Sequence, residues 1–199
     1  MTESTKNSGV SRRSFLKGSG AVAAATAWQT QQATAVETST ATLVQGATSM
    51  TLKVNGKNHK VTVEPRTTLL EVLRYQLDLT GAKPVSSDGS SGASTVMIDG
   101  KPKTASTTLA LTCKGKSIAT VESLGGAKPD AVPVAFAEYD ASQCGFCTPG
   151  FVVAVRAFLN KNPQATEAEI RKGLNGNICR CGTYSQIIDA AVSVVKGGK

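Results

Sequence analysis

The chain has a single histidine, His59. Histidine-built metal centres and imidazole acid–base catalysis both need more than that, so His59 reads as an exposed strand residue. Aromatic residues are also scarce, at 5% of the 199 residues, and no segment interleaves them with dense lysine and arginine. That excludes the stacking platforms of nucleic-acid binders. Acidic residues number 14 against 22 basic ones, a net charge of +8, but Lys6, Arg12, Arg13 and Lys17 against Glu3 already place part of this excess in the first 35 residues. The remainder is accounted for by a basic surface facing an acidic partner subunit. No glycine-rich phosphate loop and no nucleophile–base pair stands out, so stand-alone hydrolase chemistry lacks an apparatus. Long apolar runs are missing too, and no transmembrane segment is expected in the mature chain.

What is present begins with an address. Ser11-Arg-Arg-Ser-Phe-Leu-Lys17 is a twin-arginine pattern, followed by an Ala/Gly-rich run and by Ala33-Thr-Ala35, which suits a signal peptidase. We therefore read residues 1–35 as a twin-arginine signal peptide and expect export to the periplasm. That route carries proteins already folded in the cytoplasm.

Five cysteines are present, an odd number. Cys144-Gly-Phe-Cys147 and Cys179-Arg-Cys181 are spaced like chelating turns, a poor framework for disulfides. They read as the complete thiolate set of one [2Fe-2S] cluster, since thiolate is the ligand such clusters require. Tetrahedral zinc is the other centre that this spacing suits. Cys113 follows Leu109-Ala-Leu111 and reads as a small buried hydrophobe.

With 40% hydrophobic and 18% charged residues, the chain has the composition of one or two small folded domains. Residues 36–49 are rich in Thr and Ala and read as a linker. Residues 50–124 form the first expected domain. In it, Met50–Val54 and His59–Val63 alternate around an Asn55-Gly56 turn, and Thr68-Leu-Leu-Glu71 is a capping box for a helix ending at Gly81. A Ser/Gly loop over 82–93, strands over 94–98 and 117–121 and a short helix from Ser106 complete it. This order predicts a ferredoxin-like β-grasp fold. Residues 125–132 form a second linker. Residues 133–199 predict an all-α, four-helix domain, with helices opening at Pro133, Pro149, Thr166 and Thr183 and glycines 145, 150 and 182 beside the thiols. The fold class is α+β.

The segments Gln143-Cys-Gly-Phe-Cys-Thr-Pro-Gly150 and Gly176-Asn-Ile-Cys-Arg-Cys181, together with Val54-Asn-Gly-Lys57 and Thr80-Gly81, closely resemble the iron–sulfur subunits of the molybdenum hydroxylases, the xanthine dehydrogenase and aldehyde oxidoreductase family. The resemblance spans about residues 50 to 195. It implies a β-grasp domain with a distal cluster, a helical domain with a proximal cluster, and a molybdopterin cofactor on a separate large subunit. It assigns Cys144, Cys147, Cys179 and Cys181 as proximal ligands, and Gln143 and Cys181 as the residues approaching the pterin.

The chain departs from the family at the distal cluster. Where plant-type clusters carry C-x4-C-x2-C and a later cysteine, it has Ser86, Ser91, Ser94 and Ser106. A hydroxyl is a hard donor that stays protonated near neutral pH, so four serines are not expected to hold a cluster. Val85, in place of a usual glycine, fits the same loss. The expected function is transfer of electrons from the partner's molybdenum cofactor through one proximal [2Fe-2S] cluster to an external acceptor such as a cytochrome. A redox-silent structural subunit and a zinc-stapled binding module are the alternatives.

Overall fold

Two glycine turns set the sheet. In the computed structural model, Asn55 and Gly56 have φ of 49° and 79°, and Asp99 and Gly100 have 50° and 73°, so both pairs adopt the left-handed conformation that tight hairpins demand. The model describes residues 44–197 and the single residue Arg13. The signal-peptide reading, with Ala33–Ala35, otherwise lies outside the described residues.

The first turn joins β1 (Thr48–Val54) to β2 (Lys57–Val63), paired antiparallel from Thr48↔Val63 to Val54↔Lys57. β1 thus begins inside the stretch expected to be linker. Met50, Leu52, Val54, Val61 and Val63 alternate inward, as a half-buried sheet requires. The second turn joins β3 (Thr95–Ile98) to β4 (Lys101–Thr104), and β5 (Ser117–Ala119) runs parallel to β1 and antiparallel to β3. The mixed sheet therefore has the order β2-β1-β5-β3-β4. Its β4 edge is blunted by Lys101, Pro102 and Lys103, all exposed. His59, paired with Leu52, is half-buried rather than exposed, and it has no metal-binding neighbours among the described residues.

Across one sheet face lies α1 (Leu69–Glu71), opened by the expected capping box. The Thr68 hydroxyl accepts the Glu71 N–H, and the Glu71 carboxylate accepts that of Thr68. The helix does not reach Gly81. It widens into a π-helical turn over Val72–Gln76, and Leu77 closes it on the Val72 carbonyl. Tertiary contacts draw its end away: the Gln76 amide bonds both backbone groups of Thr62, and Arg74 donates to the carbonyls of Thr80 and Ala82. The short helix expected from Ser106 begins four residues later, as a 3-10 turn over Ala110–Cys113. Cys113 is fully buried among apolar neighbours, and burial pushes its thiol pKa up.

Four α-helices follow residue 130, making five among the described residues. α2 (Ala131–Glu138) starts before Pro133 because the Asp130 carboxylate accepts the Val132 N–H at 2.9 Å. The same carboxylate takes Arg156 of α3 (Thr148–Lys161) at 3.4 Å. α3 is buried nearly all round. Val153 and Ala157 pack on Met97 of β3, while Phe151, Val152, Val155 and Leu159 enter the core formed with α2, α4 (Glu167–Gly173) and α5 (Tyr184–Val195). α4 is opened by a second capping box, Thr166 with Glu169. α3 thus fixes the segments at its start against the sheet.

Candidate metal centre

Both cysteine pairs lie where a chain segment enters a helix. Cys144 and Cys147 occupy the loop between α2 and α3, with Cys147 the residue immediately before α3; Cys179 and Cys181 lie between α4 and α5. Thr148 donates its hydroxyl to Ser142 at 3.0 Å and closes the first loop. Gly145 and Gly182 have φ of 80° and 82°. Gly150 serves another purpose than approach to the thiols. A Cβ there would stand 2.5 Å from the Gly92 carbonyl oxygen, so glycine is what lets α3 press against the serine loop.

The structure brings the pairs together across the motifs. Cys181 shifts the ionisation of Cys144, and Cys179 that of Cys147, so the two motifs lie side by side. The outer two, Cys144 and Cys181, are exposed, whereas Cys147 is half-buried and Cys179 buried. Among the described residues, no three Cys, His, Asp or Glu side chains are already arranged to hold a single ion. Four thiols would supply the thiolate set of a [2Fe-2S] centre.

Backbone N–H groups are aimed at these sulfurs, and they decide which thiol ionises first. The Phe146 N–H and then the Cys181 thiol hold Cys144 below the ordinary thiol range. Cys181 gains from the Cys144 N–H, but sharing a proton with the Cys144 sulfur and facing its charge leave its pKa raised. Burial, followed by the hydrogen bond to Cys179 and the charges of its neighbours, pushes Cys147 up to about 12. Burial opposes ionisation of Cys179 as well, but the Thr183 hydroxyl and N–H, Cys147 and the Cys181 N–H outweigh it and hold the pKa at about 7. Each pair therefore has one sulfur ready to ionise and one that keeps its proton until a cation replaces it. Such a donor set fits a cationic iron centre.

Two side chains without a place in the sequence motifs touch Cys179. Tyr184 accepts its N–H at the phenol oxygen, at 2.7 Å, and Thr183 Oγ1 lies 3.2 Å from its sulfur. Thr183, expected to cap α5, makes no cap bond, because its hydroxyl is turned to the thiol. Tyr184 is held edge-on to buried Phe151, with ring centroids 6.1 Å apart. Gln143 is exposed beside Cys144.

The four serines pair as well. Ser86 and Ser91 hydroxyl oxygens are 2.8 Å apart, and those of Ser94 and Ser106 are 3.0 Å apart. Ser91 N–H also donates to Ser86 Oγ and Ser106 N–H to Ser94 Oγ. This loop is fastened to the cysteine turn. Ile178 N–H donates to the Ser91 carbonyl at 3.0 Å, and the buried Asn177 amide donates to the Gly92 carbonyl, also at 3.0 Å.

Residues 120–192 match the model of a [2Fe-2S] binding domain, and residues 9–27 match a twin-arginine translocation signal sequence. The nicotine 6-hydroxylase small subunit of Paenarthrobacter nicotinovorans is 39% identical over 141 residues, which cover 71% of this chain and 86% of that one. This chain belongs to the iron–sulfur subunits of the molybdenum-dependent oxidoreductases. The aldehyde oxidoreductase iron-sulfur-binding subunit of Escherichia coli K12 is 37% identical over 199 residues, covering 91% of this chain and 86% of the relative. Among solved structures, quinoline 2-oxidoreductase from Pseudomonas putida 86 superposes with a TM-score of 0.71 and 38% identity, over 77% of this chain and 99% of that one. The subunit therefore carries a [2Fe-2S] binding domain behind an address for twin-arginine export. No helix among its described residues is long and apolar enough to cross a membrane.

Proposed function

We propose that this subunit transfers electrons within a periplasmic molybdenum hydroxylase, whose large subunit carries molybdopterin and hydroxylates an aldehyde or N-heterocycle. Cys144, Cys147, Cys179 and Cys181 are the metal ligands. The nearness of the four thiols supports the reading, since Cys181 and Cys179 both act on Cys144, and Cys179 and Cys144 both act on Cys147.

The bound cluster supplies a one-electron carrier. Cys144 and Cys181 put the exposed edge of the donor set toward the large subunit, and Gln143 beside them faces its pterin. Backbone N–H groups of Phe146, Cys144, Cys181 and Thr183 point at the sulfurs and stabilise the negative charge gained on reduction. Cys179, buried against α5, fixes the inner edge.

We read residues 50–124, with β1 reaching back to Thr48, as a β-grasp ferredoxin-like domain that has lost its cluster, and residues 133–199, with α2 reaching back to Ala131, as the four-helix cluster domain. The central parallel pair of β1 and β5 supports the first assignment. The paired serine hydroxyls support the loss, since each already has a hydrogen-bond partner of its own. Without a distal relay, electrons leave from the single cluster to an external acceptor, a cytochrome in this reading.

Anaerobic purification of the assembled complex tests this. About two iron atoms and one reduced EPR species per chain are expected, with rapid reduction on adding substrate. About four irons with two species would reject the loss of the distal cluster. A cluster that substrate never reduces would leave only a structural subunit.

A further inference from the structure

Thr183 stands at the N-cap of α5, where a threonine hydroxyl ordinarily accepts a backbone N–H of the first turn. Here it makes no such bond. Its Oγ1 instead lies 3.2 Å from the Cys179 sulfur, and the backbone before α5 has φ −74° and ψ 26° rather than the extended geometry seen at Thr68 and Thr166. Those two threonines, in the same chain, show what the residue does when nothing competes for it. Both cap their helices through a bond to the third residue.

A metal-bound sulfur is a thiolate and has no hydrogen to give. Between Thr183 and a ligating Cys179, only the hydroxyl can donate. The contact lies at the inner, buried edge of the donor set: Cys179 is 6% exposed, and hydrogen bonds to charge strengthen where water is scarce. Tyr184, the next residue, holds the Cys179 N–H at 2.7 Å, so consecutive residues fix this cysteine from the backbone and the sulfur sides.

We propose that Thr183 is a positioning residue that sets the reduction potential of the cluster, by donating its hydroxyl hydrogen to the Cys179 thiolate. One electron enters the cluster on reduction, and Thr183 neither loses nor gains a proton. Its bond to sulfur strengthens as negative charge accumulates, so the hydroxyl favours the reduced form and raises the potential. The inference rests on Cys179 being a ligand.

The test is an EPR-monitored redox titration of the iron-loaded full-length subunit and of two variants. Thr183→Val keeps the shape and removes the donor; Thr183→Ser restores the donor. At a fixed ambient potential, the reduced-to-oxidised ratio should fall about tenfold in Thr183→Val, equivalent to ~59 mV for one electron. Thr183→Ser should return near the parent value. A Thr183→Val protein with normal iron and an unmoved potential overturns the proposal. So does a valine variant that loads no iron while the serine variant loads normally, because the hydroxyl would then act in assembly instead. Cys179→Ala separates the two levels of inference. If it keeps the parent signal, the ligand assignment has failed; if it loses the signal while Thr183→Val leaves the potential unmoved, only the role of Thr183 has.

Discussion

Ile178 donates its backbone N–H to the Ser91 carbonyl across 3.0 Å, one residue before Cys179. The loop bearing the serines is thereby tied to the turn bearing two of the thiols. That loop serves as a brace for the thiol turn.

Gly150 tests the brace. Any side chain there meets the Gly92 carbonyl oxygen and the Ala93 backbone, neither of which can swing aside. Gly150→Val should lower stability by about 1–3 kcal/mol, the usual cost of overpacking, and should reduce iron content as the cysteine turn shifts. Denaturant midpoints and iron analysis check both; an unchanged midpoint would show that the two segments are not tightly held.

Restoring sulfur tests whether the serine loop keeps the shape of a cluster site. The quadruple variant Ser86→Cys, Ser91→Cys, Ser94→Cys and Ser106→Cys should raise iron from about two to about four atoms per chain and add a second EPR species. The short Ser86–Ser91 and Ser94–Ser106 distances motivate this, since the side chains already converge in pairs. Iron content stuck at the parent level would mean that the loop has drifted from a usable geometry.

Ionisation separates two exposed thiols. Cys144 and Cys181 are both exposed, but Cys144 is shifted down and Cys181 up. In metal-free subunit near pH 8, iodoacetamide should alkylate Cys144 faster than Cys181, because the thiolate is the nucleophile. Peptide mass mapping over time reads the order; equal rates would refute it.

Iron loading should depend on pH for the same reason. Cys147, raised to about 12, and Cys181, raised, both keep their protons at neutral pH in the metal-free chain, and metal binding must displace them. Affinity therefore rises with pH and falls as acid is added. Reconstitution at about pH 6 should yield less holo-subunit than at about pH 8, with proton release measurable in weak buffer.

Cys113→Ala should behave differently from the four others. Its sulfur is buried in the sheet core, far in the chain from the cysteine turns. Iron content should stay at the parent level while stability falls by about 1 kcal/mol, the cost of a small cavity.

Local chemistry was readable wherever a residue and its partner lie a few positions apart. Asn55-Gly56, the capping box at Thr68 and the helix start at Thr166 formed as expected, since turn and cap energies depend on adjacent residues. The end of the first helix was not readable, because Gln76 and Arg74 commit their side chains to Thr62, Thr80 and Ala82 rather than to the helix. Nor was the fate of Thr183. Its sequence says cap, and only the fold reveals a sulfur within reach. Which of the four thiols is buried was not readable either: spacing treats them alike, and the fold hides Cys179 and leaves Cys144 and Cys181 exposed.

Cys144 and Cys181 are open to solvent and Cys179 is shut away, so the donor set has a wet edge and a dry one. Dissolved oxygen meets the wet edge first. How long the isolated subunit survives in air is therefore decided by what covers those two sulfurs, and tightening its interior would lengthen that lifetime very little.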